Sequence, residues 1–203
     1  MAHLKRIGLY GGTFSPPHVG HIHAARTFLA LGEIDELIIM PTYRPPHKVN
    51  HDRTTAEQRL AMCRLAFDFS ERITVSDLEI LREGKSYTSD TLRALSREDV
   101  RLVFLCGTDM FLTLDEWHEP EVIFALAEIA CIRRENEQTD GEALLRKAND
   151  YKARFGATVR FLQAEAIELS SSMIRARIAS GKSTDGMLTD AVRAYVNEKE
   201  LYR

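Results

Sequence analysis

The sequence predicts an α/β fold: a mainly parallel β-sheet with helices on both faces. Two observations carry that prediction. Short apolar runs of strand length recur along the chain, and segments with helical periodicity alternate with them. Glycines, prolines and capping residues mark many of the junctions. The chain has 203 residues, enough for one well-buried domain. It shows no internal repeat, low-complexity tract or linker, so residues 1–203 are expected to form a single domain.

The elements follow in order. Residues 6–10 (Arg-Ile-Gly-Leu-Tyr) read as a short buried strand that Gly11 and Gly12 end. Residues 21–31 read as a helix with Gly32 as its stop. Residues 36–40 form a second apolar strand, closed by Pro41. From 41 to 53 the chain is rich in proline, histidine and basic residues and reads as a long loop. Thr54 and Glu57 have the spacing of a capping box, which opens a helix to about Phe69. A third strand is expected at 73–76, a helix at 89–96, and the clearest strand of the chain at 101–106. Another strand at 128–132, a helix at 142–155 and a last strand at 158–162 follow. Two helices, roughly 171–180 and 189–198, end the sequence.

Composition narrows the function classes. Hydrophobic residues make up 44% and charged residues 28%, a globular balance. The net charge of -3 creates no global field for nucleic acid or an anionic membrane, so neither is expected as a partner. Any bound anion must be held by a local cluster of donors. Cys63, Cys106 and Cys131 are odd in number, widely spaced and set among apolar neighbours. They read as buried residues of a reducing compartment rather than as disulfides or a zinc site. The apolar run after Lys5 and Arg6 stops at Gly11, too short for a signal peptide, and no stretch is long enough to span a bilayer. A cytoplasmic location is expected.

In parallel sheets ligands bind beyond the carboxyl ends of the strands. The first strand exit reads Gly11-Gly-Thr-Phe-Ser-Pro-Pro-His18-Val-Gly-His21. The two glycines are expected to allow a tight turn and close approach of the backbone to a ligand. The following helix offers unpaired N–H groups and the positive end of its dipole, a natural phosphate site. His18 and His21 stand one helical turn apart and can address one phosphate, with Gly20 keeping the surface open. Either histidine alone would read as an ordinary helix start. The pattern is neither Gly-x-Gly-x-x-Gly nor the Gly-Lys-Ser/Thr loop, which disfavours dinucleotide redox and ordinary ATPase chemistry.

This segment resembles the signature of the nucleotidyltransferase superfamily that shares His-x-Gly-His with class I aminoacyl-tRNA synthetases. The superfamily usually carries Asp or Asn where this chain has Ser15. Residues 169–175, Leu-Ser-Ser-Ser-Met-Ile-Arg, resemble its second motif, Ile-Ser-Ser-Thr-x-Ile-Arg. Read from the residues alone, the serines can cap a helix or bond phosphate, and Arg175 supplies a permanent charge. The resemblance implies a Rossmann-like nucleotidyltransferase fold whose C-terminal helices, about 170–203, complete the ATP site. It also implies that Gly11, Gly12, Thr13, Phe14, His18, Gly20, His21, Gly107, Ser170, Ser171, Ser172 and Arg175 bind ATP. The synthetases would need a far longer chain.

Three further segments, Pro41 to Lys48, Ser86 to Leu92 and Cys106 to Asp109 with Trp117 beyond, select a branch. Together with the rest of the chain from Lys5 to Arg203 they resemble the nicotinate-nucleotide adenylyltransferases. Residues 138–154 match little. The resemblance implies an acceptor, nicotinate mononucleotide, held by Thr13, His47, Lys48, Tyr87, Thr88, Asp109 and Trp117. It implies that His18, His21, Lys48 and Arg175 stabilise charge as the acceptor phosphate attacks the α-phosphorus of ATP. Mg²⁺ would be bound through the ATP phosphates, with no dedicated protein ligands. A homodimer is left possible. Nicotinamide mononucleotide, another phosphorylated acceptor, and a nucleotide-sensing module without catalysis remain the alternatives.

Overall fold

Strands covered on both faces read as continuous apolar runs, and Leu102-Val-Phe-Leu-Cys106 is such a run, each residue at most 2% exposed. The computed structural model describes residues 4–46, 54–134, 141–165 and 167–203. Its six strands are β1 (Lys5–Gly12), β2 (Glu36–Pro41), β3 (Ile73–Val75), β4 (Val100–Gly107), β5 (Ala127–Arg134) and β6 (Val159–Ala164). They form one sheet in the order β3-β2-β1-β4-β5-β6. The pairs β1–β4, β4–β5 and β5–β6 are parallel, with Ile7 opposite Leu102, Phe104 opposite Ile129 and Cys131 opposite Phe161. The winding runs outward in two directions from the middle of the sheet, the doubly wound arrangement.

The helices are α1 (Val19–Leu31), α2 (Ala56–Ala66), α3 (Leu78–Arg82), α4 (Thr88–Leu95), α5 (Thr108–Leu112), α6 (Pro120–Leu126), α7 (Gly141–Phe155), α8 (Ser171–Ala179) and α9 (Asp190–Glu198), with a 3-10 turn at Leu114–Glu116. Each expected strand and helix is present, with shifted ends. Three short helices, α3, α5 and α6, were not expected, because five to seven residues are too few to display a 3.6-residue period. The capping box is also corrected. Thr55, not Thr54, caps α2: its side chain accepts from the Gln58 N–H at 3.2 Å, and Gln58 Oε1 accepts from the Thr55 N–H at 2.9 Å. No helix among the described residues is long and apolar enough to cross a membrane.

The chain packs as two compact units interleaved along the sequence. Met1–Tyr10, Thr27–Leu37 and Tyr87–Ala166 make the first, and Gly11–Arg26, Ile38–Ser86 and Ile167–Arg203 the second. In the first unit a Cβ at Gly8 would lie 2.6 Å from Ile34 Cδ1 and 2.7 Å from Phe28 Cε1, so only glycine lets β1 come this close to them. Phe111, Phe124, Tyr151, Phe155 and Phe161 form an aromatic core, joined by contacts of 4.7 to 5.5 Å between ring centroids. Arg6 forms an ion pair with Glu128 at 2.8 Å, and that guanidinium holds the Glu128 carboxyl below its ordinary range. In the second unit α2 packs against α9, where Met62, Cys63, Val192 and Val196 are buried. Burial pushes the Cys63 thiol well up, against the opposing pull of the Arg59 charge.

Candidate active site

In the second unit the chain stays extended through Gly11 and Gly12, and it turns at Phe14, whose φ is +50°. The expectation that the glycines make the turn is thus corrected. Gly12 supplies clearance: a Cβ there would meet the Phe14 ring at 2.9 to 3.1 Å. A left-handed conformation is costly for a bulky residue and persists only where its surroundings hold it. Here the Phe14 ring is buried, with its edge or face against Phe67 at 5.6 Å and His21 at 5.0 Å.

His18 immediately precedes α1, and its carbonyl accepts from the N–H groups of His21 and Ile22. The Val19 N–H donates to the Met187 carbonyl at 3.0 Å. The His18 and His21 rings lie 3.7 Å apart, tilted by 30°. The His18 backbone N–H donates to Nδ1 of His21 at 3.2 Å. A neutral imidazole accepting at Nδ1 carries its proton on Nε2, so His21 Nε2 is a donor in that tautomer. The first turn of α1 contains no acidic residue to oppose the positive end of the helix.

The second motif braces this loop. The Ser170 side chain caps α8 by accepting from the Met173 N–H. Ser171 Oγ donates to the Pro16 carbonyl at 2.9 Å. Arg175 Nη1 donates to the Ser15 carbonyl at 2.8 Å and Nη2 to Ser172 Oγ at 3.1 Å. Arg175 thus touches the segment that runs from Phe14 to His18. Carbonyls 15 and 16 are both bonded from α8.

The first unit holds Tyr87, Thr88, Gly107, Asp109 and Trp117. Tyr87 precedes α4 and Thr88 opens it. The Tyr87 ring lies 4.1 Å from the ring of His118, tilted by 31°, which places Tyr87 against the residue that follows Trp117. Glu119 has φ +50° and receives both Arg93 donors at 2.7 Å, which holds its carboxyl down at about 2. The Trp117 indole stands edge-on to Phe104 at 6.1 Å. Gly107 ends β4 and Asp109 lies in the first turn of α5, both exposed. His47 and Lys48 lie outside the described residues. Among the described residues, no group of three or more His, Cys, Asp or Glu side chains is arranged to hold a metal ion.

The cytidylyltransferase-like family matches residues 9–177 of the chain. A nicotinate-nucleotide adenylyltransferase of Bacillus subtilis is 34% identical over 201 residues, which cover 98% of this chain and 99% of the relative. The chain belongs to the nicotinate-nucleotide adenylyltransferase family. A Gemmatimonas aurantiaca protein named "Probable nicotinate-nucleotide adenylyltransferase" is 35% identical, over 98% of this chain and 92% of its own. In fold the chain is similar to a Plasmodium falciparum nicotinic acid mononucleotide adenylyltransferase solved with APC. The TM-score there is 0.77 at 20% identity, covering 98% of this chain and 97% of the other.

Two supports of the loop escape sequence reasoning. Ser15 Oγ is hydrogen-bonded to Thr54 Oγ1 at 2.8 Å and to the Tyr202 hydroxyl at 3.1 Å, so the residue before the last one anchors the loop. Arg59, on α2, donates from Nη1 to the Thr13 carbonyl at 2.9 Å and from Nη2 to the Tyr43 carbonyl at 3.0 Å. The sequence shows Ser15 only as a departure from the usual Asp or Asn and names no partner for it. Arg59 gave no signal, since an arginine in a helical pattern reads as surface.

Proposed function

We propose that the chain transfers the adenylyl group of ATP to nicotinate mononucleotide, giving nicotinate adenine dinucleotide and pyrophosphate. The observation that carries this reading is the pair of imidazoles of His18 and His21, 3.7 Å apart on a loop held from behind by Arg175 and Ser171. The family to which the chain belongs supports the same acceptor. Gly11, Gly12, Thr13, Phe14, Gly20 and the serines 170 to 172 shape the place of the ATP phosphates, with His18, His21 and Arg175 supplying donors and positive charge; Lys48 is assigned to the same charge by the resemblance. By the family resemblance, Gly107 is assigned to ATP, and Tyr87, Thr88, Asp109 and Trp117 to the acceptor. Thr13, His47 and Lys48 are assigned to the acceptor by the same resemblance.

The 5′-phosphate oxygen of the acceptor attacks the α-phosphorus of ATP in line. One P–O bond forms, the bond to the β-phosphate oxygen breaks, and pyrophosphate leaves with the electron pair. The attacking oxygen is already an anion, so no general base is required. The barrier lies in bringing two anions together and in the charge that spreads over the α-phosphoryl oxygens. His21 Nε2 meets that charge as a donor. Mg²⁺ bound through the ATP phosphates would neutralise part of the charge. ATP chemistry and three free, buried cysteines fit a cytoplasmic setting.

Pyrophosphate release tests the reading with ATP and three acceptors in parallel: nicotinate mononucleotide, nicotinamide mononucleotide and phosphopantetheine. The highest kcat/KM is expected with the first. A higher value with the amide overturns the acceptor, and no release with any of them overturns the transfer. His21→Ala should lower kcat by at least about a hundredfold, the scale of removing one transition-state donor.

A further inference from the structure

We propose that Arg59 is a positioning residue of this site, fixing the phosphate loop by tying the exit of β1 to the exit of β2. The kinetic consequence rests on the adenylyl-transfer reading; the tie itself does not.

The last main-chain link between the two exits runs from the Thr42 N–H to the Gly12 carbonyl at 2.9 Å. One residue further along both segments, the tie passes to a side chain. Arg59 is 1% exposed as a residue, and its guanidinium bridges the Thr13 carbonyl at 2.9 Å and the Tyr43 carbonyl at 3.0 Å. Arg59 itself is fixed by its place in α2, whose neighbours Leu60, Met62 and Cys63 are buried. Thr13 directly precedes Phe14, where the loop takes its left-handed turn toward His18. Tyr43 is held in turn, its N–H donating to Ser86 Oγ at 2.8 Å. The planar guanidinium can serve two carbonyls at once from fixed angles, and an ammonium on a flexible stem cannot do so with the same geometry. Arg59 therefore acts through Thr13 and Phe14 on the imidazoles.

The test uses the full chain with Arg59→Lys and Arg59→Ala, read by amide hydrogen exchange and by steady-state kinetics. In Arg59→Lys, exchange should quicken together at Thr13, Phe14 and Ser15 and at Thr42, Tyr43 and Arg44, while protection in α9 stays as in the unaltered chain. kcat should fall at least about tenfold, the loss expected from a small misplacement of reacting groups. The KM for ATP should change by less than about threefold, since the loss is confined to the transition state. Ethylguanidinium should restore part of the kcat of Arg59→Ala in a saturable manner, and propylammonium, of equal charge, should not. Unchanged exchange in both segments of Arg59→Lys, or a kcat per folded molecule that is unaltered, overturns the proposal. If Arg59→Ala does not fold, the lysine variant decides alone. If the unaltered chain releases no pyrophosphate, the transfer reading fails in that control, and the exchange comparison still decides whether Arg59 ties the two exits.

Discussion

A Cβ on Gly20 would stand 3.0 Å from both Cε1 and Nδ1 of the His18 ring, and 3.6 Å from Cγ2 of Ile167. The first two distances are shorter than ordinary contact, so an added methyl must push the His18 ring away. That ring is 5% exposed as a residue and lies 3.7 Å from the ring of His21, so displacement is passed to the second imidazole. Gly20 lies within α1, where alanine is the better helix former by up to about 1 kcal/mol. Gly20→Ala is therefore expected to leave the thermal midpoint within a few degrees while kcat falls at least about tenfold. Measuring Tm and kcat on one preparation separates the two effects, and an unaltered kcat would show that the ring spacing is unimportant. At this scale the placing of the paired histidines just after an apolar strand was legible from the residues, whereas Arg175 was reached only through the resemblance of residues 169–175 to the second motif. The left-handed Phe14, the Arg59 bridge and the Tyr202 anchor were not legible. A backbone sign, a buried arginine and a contact across 187 residues leave no local pattern.

Among the elements, the 3-10 turn that leads to Trp117 is fastened to α7 through one carboxylate. Asp115 receives Lys147 at 2.8 Å, Arg154 at 2.8 Å and the Tyr151 hydroxyl at 3.0 Å. Burial alone would raise this carboxyl, but the three donors outweigh it and hold it down at about 2. The same neighbourhood, with burial as the larger cause and Asp115 as the second, pushes the Tyr151 hydroxyl up. A carboxyl depressed in the folded state contributes stability that is present above its ordinary pKa and is lost as pH falls toward the folded value. Thermal midpoints should thus be level above about pH 5 and fall between pH 5 and 2. Asp115→Asn should lower the midpoint at pH 7 by a few degrees, the scale on which about 1 kcal/mol moves a chain of this size. It should also flatten the acid limb, leaving the part owed to Glu119 and Glu128. An acid limb as steep in the variant as in the parent would assign the pH dependence elsewhere. Long elements with a clear period were legible in the sequence; α5, the 3-10 turn and α6, which set the position of Trp117, were not, because tertiary contacts rather than periodicity make them helical.

For the molecule as a whole, each compact unit is assembled from three stretches of chain. The longest contiguous stretch of the first unit, Tyr87–Ala166, contains β4, β5, β6 and the aromatic core around Tyr151, and by length alone it resembles a small domain. It lacks β1, which pairs with β4 from Lys5 opposite Val100 to Tyr10 opposite Leu105. It also lacks Phe28 and Ile34, which close around Gly8. Without them Leu102, Val103, Phe104 and Leu105, all nearly inaccessible in the full chain, would lie on an open edge with little cover. Unpaired apolar edges of this kind invite association between chains rather than a stable monomer. Residues 87–166 expressed alone are therefore expected to show no cooperative thermal transition and to sediment as aggregates. Restoring the two missing stretches as a linked segment, residues 4–37 joined ahead of 87–166, should recover a cooperative transition, because it supplies β1 and the whole of α1. A monomeric, cooperatively melting 87–166 fragment would mean that β4 does not depend on β1. The interleaving would then be a record of connectivity alone, and not, as the pairing of β1 with β4 implies, a condition for the first unit to fold.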